Sequence, residues 1–167
     1  MSPSADMKPA LRPELRRELT LTRVFRAPRA LVFQAWTDPK HLSQWWGPKG
    51  FTNPVCEEDA RVGGALRIVM RAPDGAEYPM IGVFREVVAP ERLVFTNSPV
   101  DAAGQPLMDG LTTVTFAEHE GGTKLTVHTR AAGLAEIAAR MLEGMEAGWG
   151  QSLDRLVDYV ARVAAAR

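Results

Sequence analysis

Apolar residues recur at alternating spacings of three and four over the last third of the chain, the period of an amphipathic helix. Gly144, Gly148 and Gly150 fall within this stretch, although each costs about 1 kcal/mol against alanine in a helix interior. Glycines beside a tryptophan indicate a bend, a close backbone approach or free space next to the ring. We therefore predict one long C-terminal helix, interrupted near Trp149. Its stripe, broken only by Ser152, is Leu134, Ala138, Met141, Met145, Trp149, Ser152, Leu156, Val160 and Val163.

Ahead of this helix the pattern changes to a period of two, which predicts strands. The first strand covers residues 18–26 and places Arg23 on the same face as Leu21 and Phe25. Residues 80–88 are apolar on both faces, as in a central strand. Residues 98–110 read as a loop. Beyond the first strand, the predicted strands are 55–58, 65–71, 80–88, 92–97, 111–118 and 123–130.

Two short helices are predicted between the first and second strands. Pro28 suits the first turn of a helix over residues 28–37. Asp38 followed by Pro39 is an N-cap signal for a second helix that runs through Trp45 and Trp46 and stops at the next glycine. The order of strand, two helices, antiparallel strands and a long helix predicts an α+β fold.

Length and charge narrow the class of protein. The chain has 167 residues; we assign 1–17, with three prolines, to a flexible extension and 18–167 to a single domain. Twenty basic and twenty acidic residues cancel, so we expect no nucleic-acid partner. No apolar run approaches the ~18 residues that span a bilayer, and no secretory signal occurs, so we expect no membrane association and a cytoplasmic location.

Short motifs occur along the chain in one order: Thr22–Pro28 (TRVFRAP), Ala35–Pro39 (AWTDP), Trp45–Pro48 (WWGP), Gly63-Gly64, Pro90–Thr96 (PERLVFT), and Gly148-Trp149 followed by Leu153 and Leu156. With these motifs the chain resembles the START-like (SRPBCC) superfamily over residues 18–163. Within it the chain is similar to the branch named for the activator of the heat-shock-protein-ninety ATPase.

The resemblance implies a helix-grip fold, in which a curved antiparallel sheet wraps around the C-terminal helix and leaves a ligand cavity between them. It does not imply a reaction, because the superfamily includes lipid carriers, cyclases and oxygenase subunits. The eukaryotic co-chaperone that names the branch carries an additional chaperone-binding domain. We expect this chain to have no room for one, which argues against direct chaperone activation.

Candidate catalytic and metal-binding groups are few. His41, His119 and His128 are dispersed, and we expect them at the surface, with His41 near Trp45. Cys56 has no neighbouring histidine and reads as a small apolar group. No zinc-binding or nucleophile motif occurs, so we expect no metal and no cofactor.

Two charged features leave alternatives open. The acidic run 57–59 reads as a solvated edge, since successive strand residues point to opposite faces, with cation binding as the alternative. Arg23 is either a cavity cation for a ligand carboxylate or a structural partner for an acid near the sheet edge.

Large apolar side chains are the strongest functional signal, because they exceed what simple alternation requires and methionine adapts to irregular space. They indicate a mostly apolar cavity. Trp36, Trp46 and Met108 belong to this excess. The candidate ligand-binding residues are Arg23, Trp45, Phe51, Met70, Met80, Phe84, Phe95, Met141, Met145 and Trp149.

Three functions follow as hypotheses. The first is a monomeric or homodimeric protein that binds a small hydrophobic or aromatic ligand. The second is a cofactor-free cyclase or hydrolase that uses Arg23 or a buried acid. The third is a chaperone-regulating or stress-response interaction module that uses an exposed edge at residues 46–48.

Overall fold

The computed structural model describes residues 15–167. They form a seven-stranded antiparallel sheet of order β1-β7-β6-β5-β4-β3-β2, with the helices packed on one of its faces. The predicted α+β helix-grip architecture is confirmed. The elements are β1 (Arg16–Phe25), α1 (Arg29–Thr37), α2 (Pro39–Trp45), β2 (Thr52–Glu58), β3 (Ala65–Arg71), β4 (Glu77–Val88), β5 (Arg92–Pro99), β6 (Met108–His119), β7 (Gly122–Gly133), α3 (Ala138–Glu143) and α4 (Met145–Ala165).

The first strand has the predicted alternation but begins two residues before the predicted domain boundary. Arg16 and Arg17 pair with Ala132 and Ala131 of β7, and Gly133 donates its backbone N–H to Leu15. The last residues assigned to the extension therefore belong to the sheet. Residues 1–14 lie outside the described part of the chain, and a flexible extension there remains a prediction.

Strand β4 is not buried on both faces as the sequence suggested. Met80 and Phe84 point into the core, whereas Ile81, Val83 and Val88 are each more than 40% exposed. The described helices pack against the inner face alone, so the apolar residues on the outer face of β4 remain in contact with solvent. Apolar side chains at a protein surface are common, which is why composition misplaced them.

The two short helices follow their sequence signals closely. The Asp38 side chain accepts a hydrogen bond from the backbone N–H of Lys40, which confirms Asp38 as the N-cap of α2. Pro28 is the N-cap of α1 and not a residue of its first turn. Trp45 ends α2, and its indole N–H donates to the carbonyl of Ala35 at 2.9 Å.

The C-terminal helix is divided at Gly144, not near Trp149 as predicted. The backbone N–H of Gly144 bonds to the carbonyls of Arg140 and Leu142, which ends α3, and α4 starts at the next residue. Helix α4 runs without a break through Gly148 and Gly150. These two glycines are therefore not needed for a bend.

The buried side chains form two separate clusters. The larger lies between the sheet, α1, α2 and the middle of α4, and contains Trp45, Phe84 and Phe95. The smaller joins α3 and the start of α4 to β6 and β7: Met108, Ala131, Ala138, Leu142 and Met145. The boundary between the clusters determines where the fold leaves a gap.

Candidate ligand-binding groove

A groove of about 310 Å³ lies between the ends of β4 and β5, the loop after α2, and helices α3 and α4. This volume is at the lower end of the range for small-molecule sites. The lining is dominated by aromatic, methionine and proline side chains. The lining residues are Trp46, Gly47, Pro48, Phe51, Met70, Tyr78, Pro79, Met80, Asn97, Pro99, Met108, Met141, Met145, Gly148, Trp149 and Ser152.

The loop after α2 forms one wall and is held by its backbone conformation. Gly47 adopts φ +97°, a left-handed conformation that favours glycine, and it ends the helical direction of α2. A Cβ on Gly47 would lie only 2.9 Å from Sδ of Met70. The glycine thus allows the loop to approach β3 closely enough to close one side of the groove.

Two tryptophans form the aromatic end of the groove. The ring of Trp149 on α4 lies 5.5 Å from that of Trp46 in an edge-to-face arrangement at 77°. Trp149 also stacks on Trp36 of α1, with 6.4 Å between ring centroids and 20° between planes. Such pairs contribute about 0.5–1.5 kcal/mol each. Trp149 is therefore held in place by protein contacts on two sides.

Five of the seven methionines in the chain line the groove, so methionine is concentrated there. They come from β3, β4, β6, α3 and the start of α4: Met70, Met80, Met108, Met141 and Met145. Their unbranched side chains change rotamer easily and contact aromatic rings favourably. The lining of the groove can therefore change its shape.

Gly148 opens the helix side of the groove. A Cβ added there would have no atom within 4 Å outside the helix itself, whereas a Cβ on Gly150 would lie 3.7 Å from Nη2 of Arg23. Gly148 faces the groove and Gly150 does not. The predicted free space beside Trp149 therefore lies at Gly148.

The groove carries few polar groups. The hydroxyl of Ser152 donates to the carbonyl of Gly148 at 2.9 Å, within α4. The side-chain oxygen of Asn97 accepts a hydrogen bond from Thr112 at 2.8 Å. Among the described residues, no Asp, Glu, His, Lys, Arg or Cys lines the groove. The site thus offers apolar contacts and hydrogen bonds, without a carboxylate or imidazole for acid–base chemistry.

The structure brings six of the ten predicted site residues together: Phe51, Met70, Met80, Met141, Met145 and Trp149. Trp45, Phe84 and Phe95 lie instead in the closed core, each at most 2% exposed. Arg23 points away from the groove and pairs with Asp154 of α4, with 3.0 Å between Nε and Oδ1. For Arg23 the structural alternative is the one the contacts support.

Several lining residues were outside the predicted set. Trp46 and Met108 belonged to the apolar excess, so a signal for them existed in the sequence. The sequence signal for Asn97 was weaker: Asn97 follows Phe95 by two positions on β5, so the two side chains share one face of the strand. Tyr78 lies on β4, where its ring is 6.1 Å from Phe51.

Residues 26–161 match the sequence profile of the family described as "Activator of Hsp90 ATPase homolog 1-like protein". The chain belongs to this family. The match spans the fold from the end of β1 to the last turns of α4 and includes every element that lines the groove. No curated protein matches the sequence.

Solved structures of bacterial proteins share the fold of this family member. A Chromobacterium violaceum protein is 36% identical over 86% of this chain and 96% of its own, with a TM-score of 0.73. A Nitrosomonas europaea protein is 28% identical over 89% and 96%, with a TM-score of 0.69. The AHSA1 protein of Silicibacter pomeroyi is 27% identical over 90% and 100%, with a TM-score of 0.74.

Glu58 lies outside the groove and corrects the prediction of a solvated acidic edge. Both carboxylate oxygens of Glu58 are buried, and no group in residues 15–167 donates a hydrogen bond to them. Burial, assisted by the negative charge of Asp38, raises the pKa of Glu58 to about 8. Glu57 and Asp59 are exposed, as predicted. In β2, residues 56 and 58 lie on the inward face and Glu57 lies on the outward face. This alternation explains why Glu58 is buried although Glu57 is exposed.

Of the other titratable candidates, Cys56 is half-buried, and His41 and His128 have side-chain partners. Burial, followed by the charges of Glu58 and Glu57, raises the pKa of the Cys56 thiol to about 12, so the thiol stays protonated. His41 contacts the hydroxyl of Tyr159 and not, as predicted, the indole of Trp45. His128 pairs with Glu18 at the surface. Within residues 15–167 no group of three or more His, Cys, Asp or Glu is arranged to hold a metal ion.

Two other surfaces lack the features of an apolar binding site. Trp46 is only 9% exposed, so the edge at residues 46–48 is not the exposed aromatic surface that the interaction-module hypothesis requires. A larger depression of about 1,000 Å³ crosses the outer face of the sheet. Exposed charges of both signs, such as Arg85, Arg130 and Asp109, line it, without an enclosing wall of apolar groups.

Among the described residues, no helix combines the length and the apolar composition that a membrane span requires.

Proposed function

We propose that this protein binds one small apolar or aromatic molecule in the groove between the sheet and the C-terminal helices. The observation that carries the proposal is the lining of the groove, where methionine and aromatic side chains surround about 310 Å³ of space. Membership of the family supports the proposal in general terms, since folds of this kind commonly bind ligands, but it names no ligand.

The size of the groove limits the class of ligand. An aromatic molecule with one or two fused rings buries about 150–250 Å² of surface. At about 25 cal/mol per Å² this burial contributes roughly 4–6 kcal/mol before the cost of association is subtracted. Since 4–6 kcal/mol corresponds to dissociation constants of roughly 40 μM to 1 mM, we expect simple aromatic compounds to bind in the high-micromolar to millimolar range. Polar contacts and shape must supply the rest for a physiological ligand.

Two glycines of α4 offer a matched test. Gly148→Leu introduces a side chain into the groove, whereas Gly150→Leu adds the same atoms on the same helix toward the flexible end of Arg23. Both replacements favour helix formation by about 0.5–1 kcal/mol, so neither should lower stability. The probe is N-phenyl-1-naphthylamine, a neutral dye whose fluorescence rises in apolar surroundings.

We expect wild type and Gly150→Leu to bind the dye saturably at one site, and Gly148→Leu to bind at least tenfold more weakly. Unfolding midpoints are measured on the same samples. A wild type that binds no dye would overturn the proposal. So would undiminished binding by a folded Gly148→Leu variant.

A further inference from the structure

Three polar side chains form a hydrogen-bonded row that ends at the groove: Thr129, Thr112 and Asn97. The hydroxyls of Thr129 and Thr112 lie 2.8 Å apart, and the Thr112 hydroxyl donates to Oδ1 of Asn97 at 2.8 Å. Thr112 and Thr129 are at most 1% exposed. Because one hydroxyl hydrogen serves each link, Thr129 donates to Thr112 and Thr112 donates to Asn97. In this arrangement the Asn97 amide presents Oδ1 to Thr112 and Nδ2 to the opposite side.

The other end of that amide has no protein partner. Nδ2 of Asn97 donates to no acceptor within the described residues, and it is not one of their fully buried unpartnered atoms. Asn97 lines the groove and Nδ2 retains some solvent contact, so its hydrogens are available to a group that enters the groove. The hydroxyl of Ser152 already donates to its own helix and leaves only lone pairs toward the groove.

Close packing between β5 and β6 also restricts the position of Asn97. Asn97 pairs with Gly110 on β6, and a Cβ on Gly110 would lie 2.5 Å from the Asn97 carbonyl oxygen and 3.0 Å from Nδ2. Any side chain at 110 would displace Asn97. The glycine and the two buried threonines thus hold a hydrogen-bond donor in one position within an otherwise apolar lining.

We infer that Nδ2 of Asn97 donates a hydrogen bond to an acceptor atom of the ligand. This inference rests on the proposed function and specifies its substrate class: small apolar or aromatic molecules that carry a carbonyl, ether or comparable acceptor. A ligand without an acceptor would cover the amide and leave its hydrogens unpaired, which is costly in an apolar site. Asn97 is therefore a specificity-determining residue, which discriminates against hydrocarbons of the same shape.

Two probes of nearly equal shape separate this hydrogen bond from apolar contact. 2-Acetylnaphthalene carries a carbonyl oxygen, and 2-isopropenylnaphthalene has a methylene group at the same place. Each is titrated against N-phenyl-1-naphthylamine bound to wild type, Asn97→Leu and Asn97→Asp. The measured quantity is the ratio of the two dissociation constants, since the ratio removes general effects of a variant on the groove. Asn97→Asp keeps the acceptor for Thr112, so it covers the case in which Asn97→Leu fails to fold.

We expect either Asn97 variant to shift the ratio about five- to tenfold toward the hydrocarbon, as the loss of one hydrogen bond predicts. Ser43→Ala, which removes a hydroxyl outside the groove, should leave the ratio unchanged. In wild type, the side-chain amide protons of Asn97 should move downfield in NMR spectra with the ketone alone. An unchanged ratio in the folded Asn97 variants, with both probes bound by wild type, would overturn this inference. Failure of both probes and of the dye to bind wild type would instead overturn the proposed function.

Discussion

Arg155 of α4 binds the carbonyl oxygen of Trp46, with 3.0 Å between Nη1 and the oxygen. The same nitrogen lies 2.9 Å from the carbonyl of Gly47 and 3.0 Å from that of Pro48. Nη2 approaches the carbonyl of Gln44 at 3.3 Å. One guanidinium therefore joins the C-terminal helix to the end of α2 and to the loop that forms a wall of the groove.

Arg155→Met tests this attachment, because methionine keeps much of the apolar stem and removes every donor. Burial lowers the pKa of Arg155, so part of its solvation has been given up for these contacts. We expect the free energy of unfolding to fall by about 1–3 kcal/mol and dye binding to weaken. The carbonyls of Gln44 and Gly47 lose this donor, whereas those of Trp46 and Pro48 keep a second one. Chemical denaturation measures the first effect. Arg162→Met, an exposed change on the same helix, should stay within about 0.5 kcal/mol of wild type; equal stability of both variants would contradict the role of Arg155.

Glu58 predicts an unusual dependence of stability on pH. The unfolded carboxyl loses its proton near pH 4.5, whereas the folded protein keeps it until about pH 8. Between these values the folded state binds more protons, so the free energy of unfolding falls as the pH rises. Glu58→Gln removes this loss. We expect the variant to match wild type at pH 4 and to be more stable by about 2–4 kcal/mol at pH 9.

The measurement is urea denaturation at both pH values. Glu57→Gln is the matched control, because Glu57 is the neighbouring carboxylate and its side chain is 71% exposed. Its stability should follow that of wild type across the range. A wild type whose stability does not fall between pH 5 and pH 8 relative to Glu58→Gln would show that the carboxyl is ionised and solvated.

The contacts of Arg17 predict that this side chain stabilises helix α3. Its Nη1 donates to the carbonyls of Leu142 at 2.8 Å and Glu143 at 3.2 Å, and its Nη2 pairs with Glu146 at 2.8 Å. These contacts complete the last turn of α3 and tie it to β1. We expect Arg17→Met to speed amide hydrogen exchange in residues 138–146 severalfold while the core of the sheet is unaffected. Arg16→Met, on the outer face of the same strand, should change neither region; identical exchange in both variants would contradict the role of Arg17.

Local signals in the sequence predicted the elements of the fold well. The N-cap at Asp38 is decided by its own side chain and the next two residues, so it can be recognised without tertiary contacts. The position of the helix break could not be predicted in this way. Three glycines compete for it, and the break falls at Gly144, where α3 and the first residue of α4 both pack against β6 and β7 in the small cluster.

The sequence predicted only some of the groove residues, because tertiary contacts decide which apolar residues line the groove. Excess methionine and aromatic residues indicated that a groove exists, but core and lining residues have the same composition. Phe95 and Asn97 share one face of β5, yet Phe95 is closed off by the core and Asn97 faces open space. Which of the two residues lines the groove depends on where α3 and α4 end relative to the sheet. Glu58 was missed because burial of a charged residue is opposed by its own desolvation and has no sequence signature.

The division of the apolar interior into two clusters bears on how fast a ligand could enter and leave. Helix α3 packs only into the smaller cluster, together with Met145 and Met108, both of which also line the groove. Detaching α3 would expose that cluster while the larger one, which holds the sheet to α4, stays intact. Such an opening requires far less free energy than global unfolding. Detachment of α3 would then set the residence time of a bound molecule, whereas its equilibrium affinity would depend on Met141 of α3 together with the lining residues of the sheet and α4.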